Sequence, residues 1–188
     1  CRESGCFALR TADDPEERAA IWRGRKSAFA AVGRISPAYL VQDGVVPRTA
    51  LPAVLAGIAR IGAEHGIRVA NVFHAGDGNL HPLVLFDDRD PAAAERAAQV
   101  SGRILDLCLE HGGSITGEHG VGVDKAGYMP KMFTEADLAA MHLLRCAFDP
   151  AGLCNPGKVF PTPRLCGEPP AVRRGVHPLV ASGKAEQF

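Results

Sequence analysis

The sequence predicts an α+β fold: a small, mainly antiparallel sheet with helices packed on it, then a short helical segment and an extended tail. Three observations carry that expectation. Helical and extended segments alternate along the 188 residues, and only three or four segments read as strands, too few for a doubly wound parallel sheet. Two of them, "IRVANVF" (67–73) and "LHPLVLF" (80–86), are separated by a short glycine-containing run, the pattern of a hairpin. Apolar residues make up 46% of the chain, enough for a real core, and with one Trp and two Tyr that core must be mostly aliphatic.

Taken in order, "CFALR" (6–10) reads as a short strand. A helix follows from Asp14 to Gly33. Asp14 is its cap, Pro15 suits the first position, and Glu17 completes a capping box. Ile21, Trp22, Ala28, Phe29 and Val32 form its apolar stripe. "PAYLVQDGVVP" (37–47) is extended. A second helix spans 49–66, with Thr49 as cap, Gly66 as stop, and Leu51, Leu55, Ile58 and Ile61 or Gly62 facing inward. After the hairpin, Asp90 and Pro91 start a long helix that runs to about His111 and is closed by Gly112 and Gly113. "SITGEHGVGVDKAG" (114–127) is a glycine-rich loop. Thr134 caps a last helix through Phe148, with Leu138, Met141, Arg145 and Phe148 at helical spacing. The proline- and glycine-rich remainder is expected to be extended or partly disordered.

Lys and Arg balance Asp and Glu at 21 each, which argues against a nucleic-acid binder, since that needs a basic stripe. No apolar run approaches membrane-spanning length and no signal peptide is visible, so the expected location is cytoplasmic. The six cysteines (Cys1, Cys6, Cys108, Cys146, Cys154, Cys166) include no CxxC pair and are expected to be reduced. The chain begins with Cys rather than Met, and a piece of a longer protein is expected.

Two motifs carry chemistry. In "HAGDGNLH" (74–81), His74 and His81 flank a turn. If the hairpin pairs them nearly opposite each other, their Cβ atoms lie roughly 5 Å apart on one face. Two imidazoles can then share a metal, with Asp77 and Asn79 as candidates to orient the rings by hydrogen bonds. The other reading is a Gly-Asp-Gly turn that merely ends in histidines. In "TGEHGVG" (116–122), Glu118 could add an oxygen ligand, leaving His119 as a proton acceptor beside the metal. The glycines around them would let the backbone approach a flat or bulky ligand; the alternative is a solvated surface loop. Arg25, on the apolar side of its helix, either snorkels to the rim or points into a pocket as a carboxylate clamp. "LCNPGKVFP" (153–161) signals a turn through Asn155, with Lys158 as a candidate anchor.

Together, "IWRGRKSAF", "VQDGVVPR", "VFHAGDGNLHP", "TGEHGVGVDK" and "FDPAGLCNPGKVFP" occur in the order found in flavin-dependent D-2-hydroxyacid dehydrogenases. From residue 15 to about 162, the chain resembles the FAD-linked oxidase C-terminal group, and within it the FAD-binding subunits of bacterial glycolate oxidases. The resemblance implies a ferredoxin-like cap, N-terminally truncated here, over 1–127, which binds substrate and metal. It implies a helical segment over 128–162 that returns to the flavin side, and a tail over 163–188. It assigns His74, His81 and Glu118 to a divalent metal, usually zinc, and His119 to the catalytic base. It assigns Arg25 to the substrate carboxylate, and Asn155 to Lys158 to the neighbourhood of FAD.

D-2-hydroxyglutarate dehydrogenases carry a threonine and a lysine where this chain has Phe29 and Val41. The resemblance therefore implies a short or apolar 2-hydroxyacid, with glycolate first. The implied partners are an N-terminal FAD domain and other glycolate oxidase subunits, an iron-sulfur subunit among them, which could hold the assembly at the inner face of the membrane. The rival reading is a catalytically inactive fragment or an accessory metal-binding module that mediates assembly. A zinc hydrolase would want a helical HExxH pair, whereas these histidines lie on strands.

Overall fold

In a computed structural model, the described residues are 2–161. The chain separates into two compact units, Cys1–His119 and Gly120–Phe188. The tail expected over 163–188 lies outside the described residues.

The first unit is built on an antiparallel sheet. Its central strand is β4 (Asn79–Phe86). β3 (Val69–His74) pairs along one side, and β1 (Ala38–Val41) and β2 (Gly44–Val45) follow each other along the other. The register runs Val41 to Leu83 in β1 and Gly44 to Leu80 in β2, so β1 and β2 act as one edge strand interrupted at Gln42 and Asp43.

Side chains alternate across β4. Leu80 and Val84 face one way and pack with α3 (Leu51–Glu64) and α4 (Pro91–Glu110), through Val54, Ile58, Ile61, Ala97, Val100 and Ile104 among others. This aliphatic layer is the main core, and the inward residues of α3 recur at helical spacing as the sequence pattern requires. Leu83 and Leu85 face the other way, with Val41, Ala70, Val72 and a single buried residue, Val32, from α2 (Ala28–Val32). His74 and His81 share the parity of this second, thinly covered face.

Several elements differ from expectation. Residues 6–10 form no strand; all five are exposed and have no sheet edge beside them. The first helix is broken at Ser27 into α1 (Pro15–Lys26) and α2. Asp14 caps α1 by accepting from the Glu16 and Glu17 amides, but Glu17 reaches the amide of Asp13 instead of closing the box on Asp14. None of α1 is buried, and Trp22 remains 54% exposed, so its apolar stripe covers no core among the described residues. Thr49 does not cap α3: a short 3-10 turn, Arg48–Ala50, leads in, and Ala50 holds the cap position without a side-chain bond.

In the second unit, α5 (Met129–Met132) is an unforeseen short turn of helix. α6 (Glu135–Phe148) starts at Thr134 with a reciprocal capping box to Asp137. Phe148, one of the residues at helical spacing, is exposed. Cys6, Cys108 and Cys154 are free thiols. Cys146 is disulfide-bonded, which corrects the expectation of reduced thiols for that residue; a disulfide needs a second thiol within bonding reach, and fully buried Cys108 stays free. Cys1 and Cys166 lie outside the described residues. No described helix is long and apolar enough to cross a membrane.

Candidate metal centre

The hairpin delivers the two histidines, but not as a directly opposed pair. His74 pairs with Asn79, and His81 with Val72, so the histidines are diagonal neighbours on one face. The turn is the four residues 75–78, so His74 pairs with Asn79 and His81 falls two places beyond that pair. The amides of Asp77 and Gly78 donate to the His74 carbonyl at 3.1 and 3.0 Å. Gly78 has φ of 77°, and a Cβ there would come 2.0 Å from the Val46 carbonyl oxygen. A diagonal pair is still within reach of ring side chains, and the two imidazoles meet edge to face with centroids 5.3 Å apart.

The glycine loop arrives from the other edge. After α4, Ser114 exchanges backbone hydrogen bonds with Val45 of β2, at 3.0 and 2.8 Å. Buried Ile115 anchors the turn inward. Residues 116–119 then fold over a fully buried carboxylate, Asp43, in the gap between β1 and β2. Asp43 Oδ2 accepts from the Thr116 hydroxyl at 2.7 Å and from the amides of Gly117, Glu118 and His119 at 2.9, 3.0 and 2.8 Å. Burial by itself would raise the Asp43 pKa. The bonds led by the His119 amide outweigh it and hold the carboxyl well below the usual carboxylate range. Asp43 is therefore an anion wrapped by loop donors.

Gly117 explains the close fit: a Cβ there would lie 2.6 Å from Val45 Cγ2 and 2.8 Å from Asn79 Nδ2. What this glycine lets the loop approach is the hairpin itself.

Four of the expected residues come together here. His74 Nε2 lies 3.7 Å from Glu118 Oε1, and His81 Nε2 lies 3.5 Å from Glu118 Oε2. Donor atoms of all three residues fall within 4.8 Å of one another. Two ligands on a tetrahedral zinc with bonds of about 2.0–2.1 Å stand about 3.3 Å apart. Both histidine–Glu118 distances slightly exceed that spacing and are longer than an ordinary hydrogen bond. Two imidazole nitrogens and a carboxylate are a borderline donor set that suits a divalent transition metal. His119 is exposed and stacks on His81, with centroids 5.1 Å apart and planes 12° from parallel.

Other expected residues stand differently. Asn79 is buried with its amide against Gly117, and Asp77 is exposed in the turn; neither has a side-chain hydrogen bond to an imidazole. Arg25 is exposed on α1, and its guanidinium has no hydrogen bond or ion pair among the described residues. In the second unit, Asn155 and Lys158 line a cavity of about 540 Å³ together with Gly122, Arg145 and Phe148. Arg145 holds that segment by donating to the carbonyls of Cys154 and Asn155.

Asp43 was missed by sequence reasoning. The available signal was a lone acid inside the otherwise uncharged run "YLVQDGVVP". A charge there must either face water or be met by donors, and those donors lie 73 to 76 residues further along the chain.

The sequence matches the family described as FAD linked oxidases, C-terminal domain, over residues 1–159. It is similar to the glycolate oxidase subunit GlcD of Escherichia coli strain K12, at 52% identity over 166 residues, covering 88% of this chain and 33% of that protein. The corresponding Bacillus subtilis subunit is 38% identical over 160 residues, covering 85% of this chain and 34% of that protein. A mitochondrial D-lactate dehydrogenase (cytochrome) of Arabidopsis thaliana is 29% identical over 157 residues, covering 82% of this chain and 28% of that protein. The chain thus spans about a third of the length of the curated relatives it matches.

Proposed function

Since this chain belongs to the family of FAD-linked oxidase C-terminal domains, we propose that it is the substrate- and metal-binding portion of a flavin-dependent oxidoreductase. The reaction is oxidation of a D-2-hydroxyacid, glycolate first, to the 2-oxoacid. The observation that carries this reading is the convergence of His74 Nε2 and His81 Nε2 on the two oxygens of Glu118.

His74, His81 and Glu118 would hold a divalent metal, zinc by donor chemistry. When bound, the metal would supply the charge that lowers the substrate hydroxyl pKa, and FAD the acceptor for the hydride. His119 accepts the hydroxyl proton: its ring is exposed at the edge of the cluster and supported from behind by the buried ring of His81. Arg25 offers an uncommitted guanidinium for the substrate carboxylate. Asn79 sits against Gly117 where the loop meets the hairpin, and the Asp77 amide closes the turn that follows His74. Asn155 and Lys158 contribute to the flavin surroundings, the rest of which belongs to an N-terminal FAD domain. The relatives' printed name, a glycolate oxidase subunit, supports assembly with further subunits; that an iron-sulfur subunit is among them is implied by the family resemblance.

The test uses the full-length flavoprotein. One divalent metal per flavin is expected by elemental analysis, and His81→Ala is expected to lose it together with turnover on glycolate. A wild-type protein that takes up no zinc, manganese or iron, or a His81→Ala protein that keeps stoichiometric metal, overturns the reading.

A further inference from the structure

Asp43 divides its work between two oxygens. Oδ2 is the one that gathers the loop: the Thr116 hydroxyl and the amides of Gly117, Glu118 and His119 all point at it, at 2.7 to 3.0 Å. Oδ1 takes a longer bond from the Glu118 amide, at 3.2 Å, and lies 3.7 Å from His81 Nδ1. His81 is 4% exposed, and its Nδ1 is a buried ring nitrogen with no hydrogen-bond partner. The opposite ring nitrogen, Nε2, faces Glu118. The register of β1 and β2 against β4 explains the juxtaposition: it runs on from Val41–Leu83 to Gly44–Leu80, which puts Asp43 level with His81.

We propose that Asp43 is the positioning residue of the metal centre, fixing the Glu118–His119 loop through Oδ2 and the ring tautomer of His81 through Oδ1. The proposal rests on the reading of His74, His81 and Glu118 as ligands. A carboxylate beside Nδ1 favours the tautomer that carries its hydrogen there, and this leaves the Nε2 lone pair directed at the ligand cluster. The same anion sets where Glu118 begins, because Glu118's own amide is one of its donors. One buried side chain therefore aligns ligands from the hairpin and from the loop.

Asp43→Asn separates this role from that of a plain loop anchor. The side-chain carbonyl oxygen of the variant can take the place of Oδ2 and keep the loop donors. Its NH2 group then occupies the place of Oδ1 and donates to His81 Nδ1, so the ring hydrogen moves to Nε2, where it competes with metal. In the full-length protein, zinc affinity measured against a competing chelator is expected to fall about 10- to 100-fold, with the unfolding midpoint close to that of wild type. Wild-type zinc affinity retained in a folded Asp43→Asn protein overturns the proposal. Absence of zinc binding by the wild type instead overturns the ligand reading beneath it.

A second measurement does not depend on that variant folding. In metal-free wild type labelled with 15N-histidine, the ring nitrogen shifts of His81 are expected to report hydrogen on Nδ1. Hydrogen on Nε2 overturns the proposal.

Discussion

Gly117→Ala tests how closely the loop must seat against the hairpin. Gly117 does not have a positive φ, so alanine meets no backbone strain there. The added Cβ would lie 2.6 Å from Val45 Cγ2, 2.8 Å from Asn79 Nδ2 and 2.9 Å from Asn79 Cγ. Real Cβ contacts do not come that close, and Asn79 is buried at the start of β4, with little room to swing aside. The loop must therefore lift or the hairpin must shift. Overpacking of this kind costs about 1–3 kcal/mol.

The next two residues are Glu118 and His119, so the displacement falls on the site. If the loop takes all of it, metal affinity falls roughly 5- to 140-fold, the same energy expressed as a binding constant. Denaturant unfolding and zinc titration of the full-length protein measure the two parts. Gly76→Ala in the adjacent turn is the control, because nothing lies within 4 Å of its Cβ position and its φ is not positive. It is expected to be neutral or slightly stabilising. A Gly117→Ala protein matching wild type in both stability and zinc affinity would refute the close-seating argument.

Other outcomes are expected from the same geometry. His119→Asn in the full-length flavoprotein should lower turnover on the order of 10²- to 10⁴-fold with bound metal unchanged; undiminished turnover removes His119 as the base. Ile58→Ala, at a fully buried position between α3 and the sheet, should lower unfolding stability by roughly 2–5 kcal/mol, read by denaturant titration. Burial pushes the Cys108 thiol from 9.0 up to about 11. The folded state therefore keeps its proton after the unfolded chain has lost it, and stability is fully present below pH 9 and declines as pH rises toward 11. The decline amounts to about 2–3 kcal/mol at most; Cys108→Ala should flatten that part of the stability profile, and an unchanged slope contradicts it. Removing metal with a chelator should lower stability by about 2.7 kcal/mol if metal had been present at 100 times its dissociation constant, checked by unfolding with and without added zinc.

The hairpin and its histidines were legible because period-2 patterning and a glycine turn are local signals. Leu80, Val84, His74 and His81 announce their faces by parity alone. The diagonal offset of the histidines was not legible, since it depends on a four-residue turn and on Gly78 passing under the Val46 carbonyl. Glu118 and His119 could be nominated as chemistry but not placed, because their position follows from Asp43, far away in sequence. For α1 the apolar stripe through Ile21 and Trp22 suggested a buried face, yet both are exposed. Periodicity reports that a helix has an apolar side, and the neighbour that would cover it must come from elsewhere.

Asp43 meets the loop through the main-chain amides of Gly117, Glu118 and His119 and through the Thr116 hydroxyl. Main-chain amides are common to every residue except proline. The geometry of positions 118 and 119 is therefore indifferent to which side chains stand there. Substitution can rewrite the donors presented to the hairpin histidines, oxygen for nitrogen or sulfur, without reshaping the support beneath them. In this arrangement the donors at 118 and 119 can be exchanged while the buried aspartate and Gly117 keep the loop in place.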